Sequence, residues 1–115
     1  MATRKLDKKE WRSFFDRFST TLEGKQAEIE VVSLRLGDQV QAHWLPLLGI
    51  AYDPHDDIVE VALEGLDHLI SKPREIYVED GAEGIVALEI VDADDEHQIV
   101  RLRDPIALPS PARSK

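Results

Sequence analysis

Apolar residues recur first at helical spacing and then, past a single glycine, at alternate positions, a change of period that predicts one helix followed by a run of strands. Trp11, Phe14, Phe15, Phe18 and Leu22 fall on one stripe at 100° per residue, which predicts an amphipathic helix from Lys8 to Glu23. Asp7 stands at the N-cap, Glu10 completes a capping box, and Leu6 is placed to staple onto Trp11. Gly24 supplies a left-handed stop. A stripe that takes all three Phe and one of the two Trp is expected to be core, covering one face of a sheet.

After Gly24, Glu28-Ile29-Glu30-Val31 alternates as a half-buried strand does, and Leu34-Arg35-Leu36 extends the alternation to a turn at Gly37-Asp38. Val40, Ala42 and Trp44 mark a second strand. Pro46 has no N–H for a ladder, so it bends or ends that strand before Leu47–Tyr52 resumes it. Asp53–Asp57 reads as a turn, and Ile58–Leu63 as a strand with Val59, Val61 and Leu63 inward. Gly65–Lys72 fits either a helical turn or an extended segment, and Pro73 ends it. Ile76–Val78 is a strand and Asp80–Gly84 a loop. A hairpin closes the pattern: Ile85–Val91, the acidic turn Asp92–Glu96, then Gln98–Arg103, with Val86, Leu88 and Ile90 facing Val100 and Leu102.

The expected class is therefore α+β: an N-terminal amphipathic helix packed on a five- to six-stranded, mainly antiparallel sheet or small barrel. Residues 7–104 form a single domain in this reading, between a flexible stretch 1–6 and a disordered Pro- and Ser-containing tail 105–115. The order of one helix and then strands resembles that of Sm-like barrels, a likeness that implies RNA binding.

Charge opposes that implication. The chain carries a net charge of −9, with six acidic residues and no Lys or Arg from Asp53 to Asp67, and nine acidic residues and again none from Glu75 to Glu96. Phosphate backbones are held by Lys and Arg, so no nucleic-acid partner is expected. The longest apolar run, Trp44–Tyr52, is too short for a spanning helix, which needs about 20 residues, and no membrane partner is expected. There is no cysteine, which removes disulfides and thiolate chemistry. The charged opening Met1–Glu10 lacks the apolar core of a secretory signal, so a cytoplasmic location is the expectation.

Candidate chemistry is sparse. Phosphate-loop, dinucleotide-binding, nucleophile-elbow and His-Glu-x-x-His patterns do not occur. Asp92-Ala93-Asp94-Asp95-Glu96 begins like a calcium loop, but His97 and Arg103 stand where the loop needs glycine and a bidentate glutamate. Gly81-Ala82-Glu83-Gly84 has the glycine spacing of a KH loop, with a carboxylate that would repel phosphate. Asp53, His55, Asp56 and Asp57 put one imidazole among three carboxylates and are the candidate metal ligands, against the plainer role of Asp in turn hydrogen bonds. His43 and His68 are the other histidines weighed. Asp67 and His68 cannot face the same way on a strand, and no serine completes a triad. No catalytic residue and no cofactor is assigned.

Trp44-Leu45-Pro46-Leu47-Leu48-Gly49-Ile50 with Tyr52-Asp53-Pro54, Glu10-Trp11 with Phe14 and Phe15, Leu66-Asp67-His68 leading to Pro73 and Ile76, and Leu88-Glu89-Ile90 resemble an uncharacterised bacterial family, domain of unknown function 5335. The resemblance covers about Leu6–Asp104. It implies a small bacterial protein and carries over no activity or site. The function expected is a non-enzymatic binding or self-associating module with a protein or homo-oligomeric partner. The alternatives are a metal-dependent or histidine-based enzyme and an acidic decoy for a basic protein surface.

Overall fold

A computed structural model describes residues 2–82 and 84–104. The helix forms where its aromatic residues recur, but it is shorter than the pattern suggests. A 3-10 turn, Lys8–Glu10, leads into α1, Trp11–Ser19. Thr20 and Thr21 end it, because their hydroxyls donate to the carbonyls of Arg17 and Phe18 at 2.7 Å each. The capping box is not made: Asp7 gives no side-chain cap, and the turn is held instead by the Glu10 N–H on the Asp7 carbonyl. Gly24 does adopt the left-handed conformation, φ 79°.

The strands are β1 (Ala2–Lys5), β2 (Gln26–Ser33), β3 (Gly37–Asp53), β4 (Ile58–Leu63), β5 (Leu66–Ser71), β6 (Pro73–Gly81), β7 (Gly84–Asp92) and β8 (His97–Arg103). They pair in the order β1-β6-β7-β8-β2-β3-β4-β5, all antiparallel. Among the described residues eight strands thus replace the five or six expected, and their sheet is open, with β1 and β5 at its ends, so they do not form a closed barrel. The ambiguous Gly65–Lys72 segment supplies β5, turned in by Gly65 at φ 81°. The stretch expected to be loose supplies β1. It has no alternating apolar side, and it is held by its ladder to β6 and by ion pairs Arg4–Asp80 and Lys5–Glu75. The expected tail, 105–115, lies outside the described residues.

Leu34–Leu36 also departs from expectation. These residues are the turn between β2 and β3, where the Leu36 N–H donates to Ser33 Oγ at 2.9 Å and Gly37 takes φ 71°.

β3 ties the molecule together. Its first part pairs with β2 up to Pro46, and from Leu47 it pairs with β4. The hand-over has local causes: the register slips twice against β2, Trp44 sits at φ 55°, and Pro46 lacks an N–H. Arg103 covers the Trp44 ring at 4.1 Å.

Trp11, Phe14, Phe15 and Phe18 of α1 are buried against the sheet, with Ile29, Ile50, Val59, Ile76, Leu88 and Val100 among the fully or nearly fully buried strand residues. Trp11 meets Tyr52 edge-on, centroids 5.2 Å apart. Ser19 fastens the helix end to β3, donating to the Ile50 carbonyl at 2.7 Å and accepting the Ile50 N–H at 3.0 Å. The helix covers one side of the sheet, and the surface left to solvent is built from strand edges, turns, the outer sheet face and the polar side of the helix.

Candidate functional site

The β3–β4 turn shows how its candidate ligands are used. Asp53 Oδ1 accepts the N–H of His55 at 2.9 Å and of Asp56 at 3.4 Å, His55 Nδ1 lies 3.0 Å from Asp56, and Asp57 accepts the Tyr52 hydroxyl at 2.7 Å. These side chains close the turn and point to separate partners. Among the described residues no three His, Asp or Glu side chains converge in a geometry that would hold a metal ion.

The other histidines are each tied to one neighbour. His43 lies 2.7 Å from Glu28 and His97 2.5 Å from Glu89, both on the outer face. His68 differs. It reaches from β5 across the core to β8, 2.6 Å from Gln98 Oε1, while Gln98 Nε2 donates to Asp92 Oδ2 at 3.0 Å. An amide that donates to a carboxylate must present its oxygen to His68, so His68 holds its proton on Nε2. Asp92 Oδ1 accepts the N–H groups of Asp94 and Glu96, so this buried carboxylate is fully used.

On the outer face Arg101 pairs with Glu30 at 2.8 Å and Glu28 at 3.4 Å. The Arg101 bond holds the Glu30 carboxyl below its usual range, and the Glu30 bond holds Asp38 above its own. Arg101 is thus paired with carboxylates of its own chain.

The least satisfied surface is the tip of the β2–β3 hairpin. Leu34 is fully exposed at 107%, Leu36 at 54% and Val40 at 58%; the other large exposed apolar residues, Leu48, Leu66 and Leu69, lie elsewhere. Exposed apolar residues are ordinary one at a time, and this hairpin carries three of them. Beside the tip runs a groove of about 490 Å³ bounded by Ser33, Leu34 and Arg35 on one side and Asp94, Asp95 and Glu96 on the other. Its acidic wall is the β7–β8 turn, held in place by Asp92. Asp95 is paired with Arg74. Glu96 is held above its usual range, first by burial and then by the charge of Asp92, with Arg35 pulling weakly the other way. Arg35 enters no ion pair among the described residues.

The sequence pointed to the β3–β4 turn and not to this tip. Leu34-Arg35-Leu36 satisfies a strand pattern as well as a turn, and only Gly37 directly after it marks the turn. The nearness of Arg35 to Asp94–Glu96 is set by the pairing of β2 with β8, about 60 residues away in sequence.

A protein-family model described as a family of unknown function (DUF5335) matches residues 2–111. An uncharacterised protein of Aquifex aeolicus is 42% identical over 110 residues, which is 95% of this chain and 99% of the relative. No solved structure matches.

Proposed function

The chain belongs to the DUF5335 family, whose function is unknown, and from that premise we propose that it is a non-enzymatic module that binds protein through the tip of the β2–β3 hairpin. The observation that carries this reading is the exposure of Leu34, Leu36 and Val40 on one projecting element. Leaving such side chains in water forgoes about 1.5–3 kcal/mol for each that burial would return, and a protein partner is the means of burying them. A basic or uncharged partner fits the neighbouring carboxylates, and a cysteine-free chain suits the reducing bacterial cytoplasm in which we place it. Among the described residues no helix is long and apolar enough to cross a membrane.

The reading based on metal or histidine chemistry has less behind it. His43, His55 and His97 are exposed surface groups, each beside a single carboxylate, and among the described residues the side-chain hydrogen bond of His68 is to Gln98, an amide and not a nucleophile. The decoy reading rests on charge alone.

A photo-crosslinking residue placed at Leu34 or Leu36 in living cells tests the proposal, with Lys9 on the helix side as the control position. Discrete protein adducts from the hairpin positions and none from Lys9 are expected. Equal labelling at all three, or none at the hairpin, would refute a binding tip.

A further inference from the structure

At the end of β2 opposite the hairpin tip, a groove of about 540 Å³ opens beside the end of α1, lined by Leu22, Gly24, Lys25, Pro46, Leu47 and Leu48. Its floor is apolar and, among the described residues, uncovered: Leu48 is 65% exposed, and a Cβ placed on Gly24 would meet no atom within 4 Å. We infer that the occupant is the chain's own continuation, residues 105–111, which runs back along this groove from the end of β8 and sets Ile106 and Leu108 against Pro46 and Leu48. This contact is independent of the hairpin tip.

The path of the chain favours this occupant. β8 runs antiparallel to β2 with Arg103 opposite Gln26, so the residues that follow head toward Lys25 and Gly24, which line the groove. The exit is fastened there: Arg103 donates to Gln26 at 3.0 Å, and Lys25 Nζ pairs with Asp104 at 2.8 Å. Composition agrees. Residues 105–111 read Pro-Ile-Ala-Leu-Pro-Ser-Pro, a stretch without charge in a chain that is 32% charged, and seven residues of extended chain reach roughly 20 Å, enough to pass Pro46 and Leu48. Their three prolines leave less backbone freedom to lose on docking. The family match also runs on past Arg103 and stops at Pro111, the last residue of this uncharged stretch, so the segment belongs to the unit the family shares. A segment tethered at the groove's edge acts at an effective concentration in the millimolar range, ahead of any free peptide of the same apolar character.

Nuclear magnetic resonance of the full chain tests the docking, through methyl–methyl Overhauser contacts and backbone order parameters. Expected are contacts from Ile106 or Leu108 to Leu48 that keep their strength on about tenfold dilution, and order parameters at Ile106 and Leu108 near the value of about 0.85 typical of rigid backbone. An Ile106→Ser, Leu108→Ser double variant and, separately, Leu48→Ser are each expected to drop the order parameter at Ala107 below about 0.6. Leu48 is exposed in the described fold, so its replacement removes no core contact, and unchanged resonances from the strands verify that each variant folds. Order parameters below about 0.6 in the natural sequence overturn the docking, as does an ordered segment that touches other residues or is indifferent to both variants. Contacts that vanish on dilution overturn it too, since they assign the groove to the segment of a second copy.

Discussion

Tyr52 carries one consequence of burial that a single substitution isolates. Its ring packs edge-on against Trp11, and its hydroxyl donates to Asp57, which belongs to the turn weighed as a metal site. Burial first, and the Asp57 bond second, push its pKa from 10.0 up to about 12. Because the folded chain holds this proton more tightly than the unfolded chain, the contribution is complete below pH 10 and is lost as pH climbs toward 12. A falling melting temperature over that window is expected. Lysine deprotonation adds to the decline, so the informative quantity is the difference from Tyr52→Phe. That variant starts lower by about 1 kcal/mol for the missing bond and shows a shallower alkaline slope, measured by thermal melts at stepped pH. Parallel curves would mean that Tyr52 ionises equally well in both states.

Between β5 and β8 the fold depends on a bond that no ladder supplies. These strands are not neighbours in the sheet, yet His68 and Gln98 join them through the core, with Asp92 behind. Gln98→Leu keeps the bulk but leaves the His68 N–H and one Asp92 oxygen short of a partner, and each unsatisfied buried group costs about 1–3 kcal/mol. Gln98→Glu sets a second carboxylate against Asp92. It is expected to be the less stable of the two at neutral pH and to recover on mild acidification, as the pair takes up a proton. Denaturant melts at two pH values check both, and a Gln98→Glu chain that loses stability on acidification would contradict this account. Nothing in the sequence announces the bond, since residues 68, 92 and 98 meet only after the sheet curls. Periodicity did locate the aromatic helix and the inward Val59, Val61, Leu88, Ile90 and Val100, because those positions answer to a local period. It failed for β1, whose polar residues form a strand only because β6 offers a free edge, and for Leu34-Arg35-Leu36, where one pattern satisfies a strand and a turn alike. The candidate surface was hidden for the same reason: its two walls come from different hairpins.

Across the whole molecule, charge is unevenly divided. The first 25 residues hold seven Lys or Arg against four Asp or Glu, and the remaining 90 hold seven against nineteen. Self-repulsion of the acidic strands and turns opposes the compact state, while ion pairs such as Arg4–Asp80 and Lys5–Glu75 support it. The pairs are largely exposed, and an exposed pair contributes only about 0–1 kcal/mol, so with a net charge of −9 the repulsion is the larger effect. Raising salt from about 0.01 M to about 0.15 M shortens the screening length from roughly 30 Å to roughly 8 Å and relieves it. The melting temperature of dilute protein is therefore expected to rise by a few degrees. Thermal melts of dilute protein in buffers of the two ionic strengths measure this. A melting temperature that drops with salt would show that local ion pairs outweigh the net charge.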